Sequence, residues 1–344
     1  MWAERKLLLA AAAAAVLAIG STLLPARSEE PKGRGENAHI RVGLVFEVGG
    51  RGDKSFNDAA YAGLSRAARE LGVTTELIEP VGAEDREAGL RLFAARGFDV
   101  VIAVGFIFST DVSVVARAFP STSFACLDYA PPEDGVVPSN VVGLTFREEE
   151  GSFLVGAVAG LVTRRRHVGF VGGMDIPLIQ KFEAGYRAGA LEVCPTCIVH
   201  AAYAGTTPDA FRDPAKGKAL TVSQAAAGVD VIYHAAGNTG HGVFEAAREM
   251  SIKAIGVDAD QHDEMPGTVI TSMIKRGDVA VFEVVKAAVE KRWKGGVAVL
   301  GLAEDGVGYV SDGPHAAGIP ESVKARVADL RERVVKGEIR VPSK

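Results

Sequence analysis

Short apolar segments alternate with segments of helical periodicity along most of this chain. The segment at 40–48 is rich in β-branched residues, and around 56–71 it is followed by apolar residues that recur on one helical face. Strands that are apolar along their whole length are buried on both faces, and helices between them cover a parallel sheet. The alternation therefore predicts an α/β fold built from parallel sheets.

The alternation occurs in two series. Strand-like segments lie at 40–48, 74–78, 100–104, 123–127 and 141–146 in the first series, and near 167–172, 198–203, 230–234 and 253–257 in the second. Two series indicate two doubly wound lobes, and the segments near 267–275 and 297–312 are expected to cross between them. The expected boundaries are 39–146 plus 260–292 for lobe one and 147–259 plus 293–344 for lobe two.

The first 26 residues have the pattern of a secretory signal. Arg5 and Lys6 precede an apolar run at 7–24, and cleavage is expected after Ala26. The run is also about long enough to span a membrane, so an uncleaved anchor is the alternative. Residues 27–38 are polar and are interpreted as a tether. This pattern predicts a periplasmic or other extracytoplasmic location.

Composition argues against several classes of function. The chain carries 38 Lys and Arg residues against 43 Asp and Glu residues, a net charge of −5, without a basic block. Nucleic-acid binding needs clustered Lys and Arg that neutralise phosphates, so we expect no nucleic-acid partner. With 48% hydrophobic and 24% charged residues, the chain also differs from disordered and multi-span membrane proteins.

Several catalytic and cofactor motifs are incomplete. Asp53 stands where a phosphate-binding loop requires Gly before Lys, and the glycines at 237–242 are not in the order of a dinucleotide fingerprint. No G-x-S-x-G nucleophile motif occurs. The seven His residues do not follow metal-binding spacings, and we interpret His234 and His241 as packing or solvent-exposed residues. We therefore expect neither a cofactor nor a metal.

Two of the three cysteines form a C-x-x-C motif, Cys194 to Cys197. In an exported protein this spacing favours a short structural disulfide, while a redox centre or free thiols remain the alternatives. Cys126 ends a predicted buried strand and is interpreted as a core thiol.

Ligands of open α/β sheets bind outside the carboxyl ends of the strands. Polar residues and glycines lie together after several of the predicted strands, at 47–57, 105–108, 128–129, 172–175, 235–242, 258–260 and 272–275. Such loops can provide backbone and side-chain hydrogen bonds to a small molecule.

The first of these loops resembles a known family. Its residues are Asp53-Lys54-Ser55-Phe56-Asn57-Asp58, and the other matching segments, in order, are Gly105-Phe106, Lys181 to Gly185, His234 to Gly237, Gly256 to Gln261 and Thr271 to Lys275. Together they resemble the basic membrane protein family, the purine-nucleoside-receptor type of ABC-transporter substrate-binding protein. The resemblance implies a type I periplasmic-binding fold, with two lobes, three crossovers and a ligand cleft. It also implies a purine nucleoside ligand, an ABC permease as partner and no enzymatic activity. We expect the protein to be a monomer.

The resemblance also suggests site residues. Phe56 and Phe211 are similar to the family's two base-stacking aromatics, although the loop of Phe211 is longer than the family's. The other matching positions are Asp53, Asn57 and Asp128 on the first lobe, and Gly237, Asp258 and Lys275 on the second lobe and crossover. The family's lipid-attachment cysteine is missing from this sequence.

The residue types agree with a nucleoside site. Phenylalanine rings can cover the two faces of a base, and carboxylates accept hydrogen bonds from ribose hydroxyls and base N–H groups. One lysine among several carboxylates suits a neutral, donor-rich ligand better than a phosphate. Structural interpretations remain open: Phe56 as a core residue, Asp128 and Asp258 as turn residues, Lys275 as a solvated charge, and Ser55 with Asp58 as a helix-capping box.

Two other functions are compatible with such a cleft. A sensory clamp would bind a ligand and signal through a membrane partner. An enzyme could cleave nucleosides with Asp53 and Asp128 as acid and base. The receptor of an ABC importer remains the leading hypothesis.

Overall fold

A computed structural model describes residues 39–47, 50–80, 84–132 and 135–344, and His39–Lys344 form one compact unit. The predicted signal sequence at 1–26 and tether at 27–38 lie outside the described residues. The strands are β1 (Arg41–Val45), β2 (Thr74–Ile78), β3 (Val100–Val104), β4 (Ser123–Leu127), β5 (Val141–Phe146), β6 (His167–Met174), β7 (Ile198–Gly205), β8 (Val231–Ala235), β9 (Lys253–Gly256), β10 (Val269–Lys275), β11 (Gly296–Leu300) and β12 (Val307–Tyr309). The helices are α1 (Phe56–Leu71), α2 (Glu84–Ala95), α3 (Ser109–Ala118), α4 (Glu148–Val162), α5 (Pro177–Val193), α6 (Pro214–Ala226), α7 (Gly240–Glu249), α8 (Gly277–Val289) and α9 (Glu321–Val335).

The strands form two six-stranded sheets with the same order. The first sheet runs β11-β5-β4-β3-β1-β2 and the second runs β12-β10-β9-β8-β6-β7. All pairs are parallel except β10 with β12. Every residue of β3 and of β8 is buried, as expected for strands covered on both faces. The predicted α/β fold with two doubly wound lobes is confirmed.

The lobe boundaries differ from those expected. β10 pairs with β9 in the second sheet, although residues 260–292 were expected in lobe one. β11 pairs with β5 in the first sheet, although residues 293–344 were expected in lobe two. Both strands are short, and their composition fits either sheet, so only the tertiary pairing decides between them. The chain therefore crosses between the sheets after β5, between β10 and α8, and between β11 and β12.

The cysteines and helices agree with the expected roles. A disulfide joins Cys194 to Cys197, between the end of α5 and the start of β7, and Cys126 is a buried free thiol. Among the helices of the described ranges, none is long and apolar enough to cross a membrane.

Candidate functional site

The carboxyl ends of strands from both sheets face one cavity. It contains about 610 Å³ of space outside protein atoms, including the part open to solvent. Its walls comprise Glu47, Asp53, Phe56, Asn57, Phe106 and Asp128 from the first lobe, and Leu178, Ile179, Phe182, Phe211, Ala235, Ala236, Gly237, Asn238, Val257, Asp258 and Lys275 from the second. All eight ligand-binding residues expected from the sequence line this cavity.

Asp53 organises the loop between β1 and α1. Its carboxylate accepts hydrogen bonds from the backbone N–H groups of Ser55, Asn57 and Asp58, at 2.9 to 3.1 Å, and from the Asn57 side-chain amide. Burial raises the pKa of this carboxyl, whereas the backbone hydrogen bonds lower it. Asp53 therefore caps α1, so most of its hydrogen-bonding capacity is used within its own loop.

The alternative interpretation of Ser55 and Asp58 as a capping box is wrong. Ser55 precedes α1, but its side chain makes no capping hydrogen bond. Its hydroxyl donates instead to Asp258 on the other lobe. Asp58 accepts from the backbone N–H groups of Gly52 and Lys54, so it stabilises the preceding loop. The sequence does not reveal the partner of Ser55, because Asp258 lies on the other side of the cleft.

Phe56 belongs both to the hydrophobic core and to the cavity wall. The residue is 9% exposed and packs in the main apolar cluster. Its ring centroid lies 4.9 Å from Nζ of Lys275. The core interpretation and the ligand-facing interpretation of Phe56 are therefore compatible.

Lys275 is buried among carboxylates rather than solvated, because it is only 3% exposed. Its Nζ lies 2.6 Å from Oδ1 and 2.8 Å from Oδ2 of Asp128, and 3.1 Å from Oε1 of Glu148. Burial lowers the pKa of Lys275, but the charges of Asp128 and Glu148 outweigh burial and raise it overall. Burial raises the pKa of Asp128, and Lys275 opposes that effect. This ion pair spans the cleft, since Asp128 follows β4 and Lys275 ends β10.

Asp258 follows β9 with a left-handed backbone, at φ 65°. Its carboxylate accepts the hydrogen bond from Ser55. Burial raises the pKa of Asp258 to about 6, while Lys275 and the Ser55 hydroxyl oppose the increase. Asp258 is thus a buried carboxylate on the second wall whose ionisation changes in mildly acidic solution.

Phe211 reaches the cavity from a short 3-10 helix, Pro208–Phe211. Its ring lies against the backbone of β6 at Gly173, where a Cβ would come within 2.3 Å of the ring. The Thr239 hydroxyl donates to the carbonyl of Ala210, and this ties the Phe211 loop to the loop of Gly237. Gly237 has φ 53°, and a Cβ there would lie 3.3 Å from the Phe211 carbonyl oxygen.

Glu47 in the cavity wall and Gln261 at the contact between the lobes were not selected as binding residues. Glu47 lines the cavity, and burial together with the charge of Asp128 raises its pKa well above the ordinary value. The strand-end rule had already marked residues 47–57, so a closer reading could have included it. Gln261 donates from Nε2 to the Lys54 carbonyl across the cleft, at 3.1 Å. No local pattern distinguishes that contact.

Asn57 offers a hydrogen-bond acceptor to the cavity. Its Oδ1 is buried and has no hydrogen-bond partner among the described residues. A buried acceptor without a partner is energetically unfavourable until a ligand or water donates to it. Together with the surrounding carboxyl groups, it favours an uncharged ligand that carries several N–H or O–H donors.

The family model for PnrA-like ABC transporter substrate-binding proteins, Bmp, matches residues 40–344. The chain belongs to this family. The predicted resemblance to the basic membrane protein family is therefore confirmed. Proteins of this family are solute-binding proteins rather than enzymes, and ABC substrate-binding proteins work with a small-molecule ligand and a transporter permease.

Two relatives and one solved structure illustrate the similarity to PnrA-like proteins. An uncharacterized lipoprotein of Pyrococcus horikoshii is 37% identical over 280 residues, covering 78% of this chain and 68% of the relative. The ABC transporter nucleoside-binding protein BmpA of Lactococcus lactis is 28% identical over 358 residues, covering 97% and 98%. A crystal structure of an ABC transporter solute-binding protein from Aeropyrum pernix matches with a TM-score of 0.79 at 32% identity, covering 89% of this chain and 94% of that one.

Proposed function

We propose that this PnrA-like protein is an exported receptor that binds a purine nucleoside between its lobes and delivers it to an ABC permease. The main support is the composition of the cavity walls. Phe56 and Phe211 come from opposite lobes, and buried carboxyl groups lie beside them. Aromatic rings stack on bases, and carboxylates accept from ribose hydroxyls. The nucleoside-binding name of the Lactococcus lactis relative supports the same ligand class.

Hinge closure is the proposed mechanism of capture. The polar contacts that join the lobes around the cavity include Ser55 with Asp258, Lys54 with Gln261, and Asp128 with Lys275. Opening the cleft would break these contacts. A ligand that contacts both walls binds only the closed arrangement, so it shifts the population toward that arrangement. The ligand leaves chemically unchanged.

The acid–base pair needed for nucleoside cleavage is poorly supported. Asp53 is saturated by hydrogen bonds from its own loop, and Asp128 is paired with Lys275. Neither carboxylate is free to act as a proton donor or acceptor toward a bound nucleoside. The receptor function requires no such step.

Calorimetric titration of the purified protein with inosine, guanosine and adenosine tests the ligand class. Free bases, ribose and the matching 5′-monophosphates serve as controls, because the buried carboxylates should repel a phosphate. We expect one nucleoside per protein, a rise in melting temperature with saturating nucleoside, and unchanged nucleoside after long incubation. Binding of sugars or amino acids alone would contradict the nucleoside assignment, and release of free base would contradict the receptor function.

A further inference from the structure

We propose that the second lobe carries a site for a divalent first-row transition metal such as Zn²⁺, formed by His262, Asp263 and His315. His262 and Asp263 lie in a 3-10 helix after β9, and His315 lies in another after β12. One potential ligand atom from each residue lies within 4.8 Å of the others. His315 is far from the adjacent His262 and Asp263 in sequence, so their spacing gave no metal motif.

The donor atoms are close to the separation that a metal needs. Nε2 of His315 lies 3.4 Å from Oδ1 of Asp263. In tetrahedral zinc sites, Zn–N and Zn–O bonds of about 2.0–2.2 Å place neighbouring donors about 3.3–3.6 Å apart. The rings of His262 and His315 are stacked, with centroids 4.5 Å apart. A small shift of the partly exposed His262 and His315 side chains would bring the three donor atoms to bonding distance of one metal ion.

Both histidines already have the hydrogen bonds that orient metal ligands. Nδ1 of His262 lies 3.1 Å from the Val269 carbonyl oxygen, which can only accept, so this nitrogen carries the proton. Nδ1 of His315 lies 2.6 Å from Oδ2 of Asp260. Each ring therefore keeps Nε2 as its available lone pair, as in the carboxylate–histidine–zinc arrangement. Asp260 also accepts from the His262 backbone N–H at 3.1 Å, so it positions both ligands.

Two imidazoles and one carboxylate select among metals. Imidazole suits Zn²⁺, Ni²⁺ and Cu²⁺, whereas Mg²⁺ and Ca²⁺ prefer oxygen ligands alone. Three protein ligands leave a coordination position for water. The proposal does not depend on the identity of the ligand in the cavity.

The chain contains a second stacked histidine pair, which provides a matched control. His167 and His200 have ring centroids 5.2 Å apart, and Nδ1 of His167 lies 3.0 Å from Nε2 of His200. His167 and His200 hydrogen-bond to each other through one ring nitrogen each, whereas Nδ1 of His262 and Nδ1 of His315 each hydrogen-bond to an oxygen. Substitution at His200 therefore removes an imidazole without removing a ligand of the proposed metal site.

The test is calorimetric titration of tag-free, chelator-treated protein with Zn²⁺, and with Mg²⁺ for comparison. Co²⁺ absorption spectra report the coordination geometry. We expect one Zn²⁺ per chain, a tetrahedral Co²⁺ spectrum and no response to Mg²⁺. His262→Gln and His315→Gln should each weaken Zn²⁺ binding at least tenfold, and Asp260→Asn should weaken it about tenfold through the lost orienting bond. His200→Gln should bind like the wild type.

Two results would overturn the proposal. One is the absence of Zn²⁺ binding up to millimolar concentration. The other is Zn²⁺ binding that is unchanged in both His262→Gln and His315→Gln. Circular dichroism shows whether each variant is folded. If His315→Gln does not fold, Zn²⁺ binding by His262→Gln tests the proposal.

Discussion

Asp128 and Asp258 occupy equivalent positions in the two lobes, yet their environments differ. Each follows the strand that is third from the β11 or β12 edge of its sheet, and each has a left-handed backbone, with φ 57° and 65°. Both line the cavity. Asp128 is paired with a buried ammonium, whereas Asp258 accepts from a neutral hydroxyl. One topology therefore supports a charge-compensated carboxylate on one wall and a less compensated carboxylate on the other.

This difference separates two kinds of contribution. The Asp128 ion pair holds the lobes together and is costly to break on one side. The charged form of Asp258 is stabilised less than that of Asp128, so Asp258 takes up a proton in mildly acidic solution. On the first wall, Asp53 accepts its hydrogen bonds from its own loop, whereas Asp258 on the second wall accepts a hydrogen bond from Ser55 across the cleft.

The largest expected effect follows from removing the ammonium. Lys275→Met leaves Asp128 buried without its paired ammonium and leaves Glu148 with Lys181 alone, so we expect a loss of about 3–5 kcal/mol in the free energy of unfolding at pH 8. The loss should be smaller at pH 5, where the carboxyls can take up protons. Urea unfolding at the two pH values measures both quantities.

Lys218 gives the matched control. It forms an ion pair with Glu249 at 2.7 Å, but on the surface. Surface pairs are screened by water, so Lys218→Met should change stability little. An equal loss in the two variants would mean that the buried pair across the cleft has no special role.

The second prediction concerns the pH dependence of Asp258. Its pKa of about 6 in the folded protein exceeds the value of about 3.9 in an unfolded chain. The folded state therefore holds this proton more tightly, and the free energy of unfolding falls as the pH rises from about 4 to about 6. Asp258→Asn keeps an acceptor for Ser55 without the charge. The free energy of unfolding of Asp258→Asn should exceed that of the wild type by about 2–3 kcal/mol at pH 8 and match it near pH 4.

Urea unfolding across pH 4 to 8 measures this difference, with Asp329→Asn on the exposed face of α9 as control. A difference between Asp258→Asn and the wild type that does not change with pH would contradict the assignment. Ligand binding gives a separate result, because Asn cannot replace a carboxylate as acceptor for two hydroxyls. Nucleoside affinity should fall in Asp258→Asn even where its stability rises.

The third prediction compares the two aromatic residues. Phe211→Ala should weaken nucleoside binding about tenfold, since stacking contributes roughly 1–3 kcal/mol per base. Phe56→Ala should weaken binding similarly, and it should also lower stability because Phe56 packs in the core. Calorimetry and urea unfolding separate the two effects. The control is Phe119→Ala, a half-buried position in another apolar cluster, and a loss of binding there would argue against specific stacking.

The smallest effect is expected at Asp53. Asp53→Ala removes the cap of α1, which typically costs about 1 kcal/mol. Nucleoside affinity should fall less than in Asp258→Ala, because the Asp53 oxygens are already occupied by backbone N–H groups. Unfolding and binding curves of both variants test this. A larger loss of affinity in Asp53→Ala than in Asp258→Ala would contradict the proposal that Asp258 contributes more to binding than Asp53.

Much of the fold could be predicted from local patterns. Apolar strands and periodic helices are encoded within short segments, so elements such as β3 and β4 fall where the sequence placed them. The strand-end rule then located the candidate loops, because parallel strands bring their carboxyl ends to one edge. The eight selected residues share one cavity for this reason.

By itself, the sequence determined the strands, the helices, the two-lobed class and the edge at which a ligand would bind. Only the tertiary structure decided that β10 joins the second sheet and β11 the first, that Asp53 caps α1, and that Gln261 donates to the Lys54 carbonyl. It also brought His262 and His315 together. Local periodicity depends on residues a few positions apart, whereas pairing, charge compensation and metal geometry depend on groups that meet only after the chain has folded.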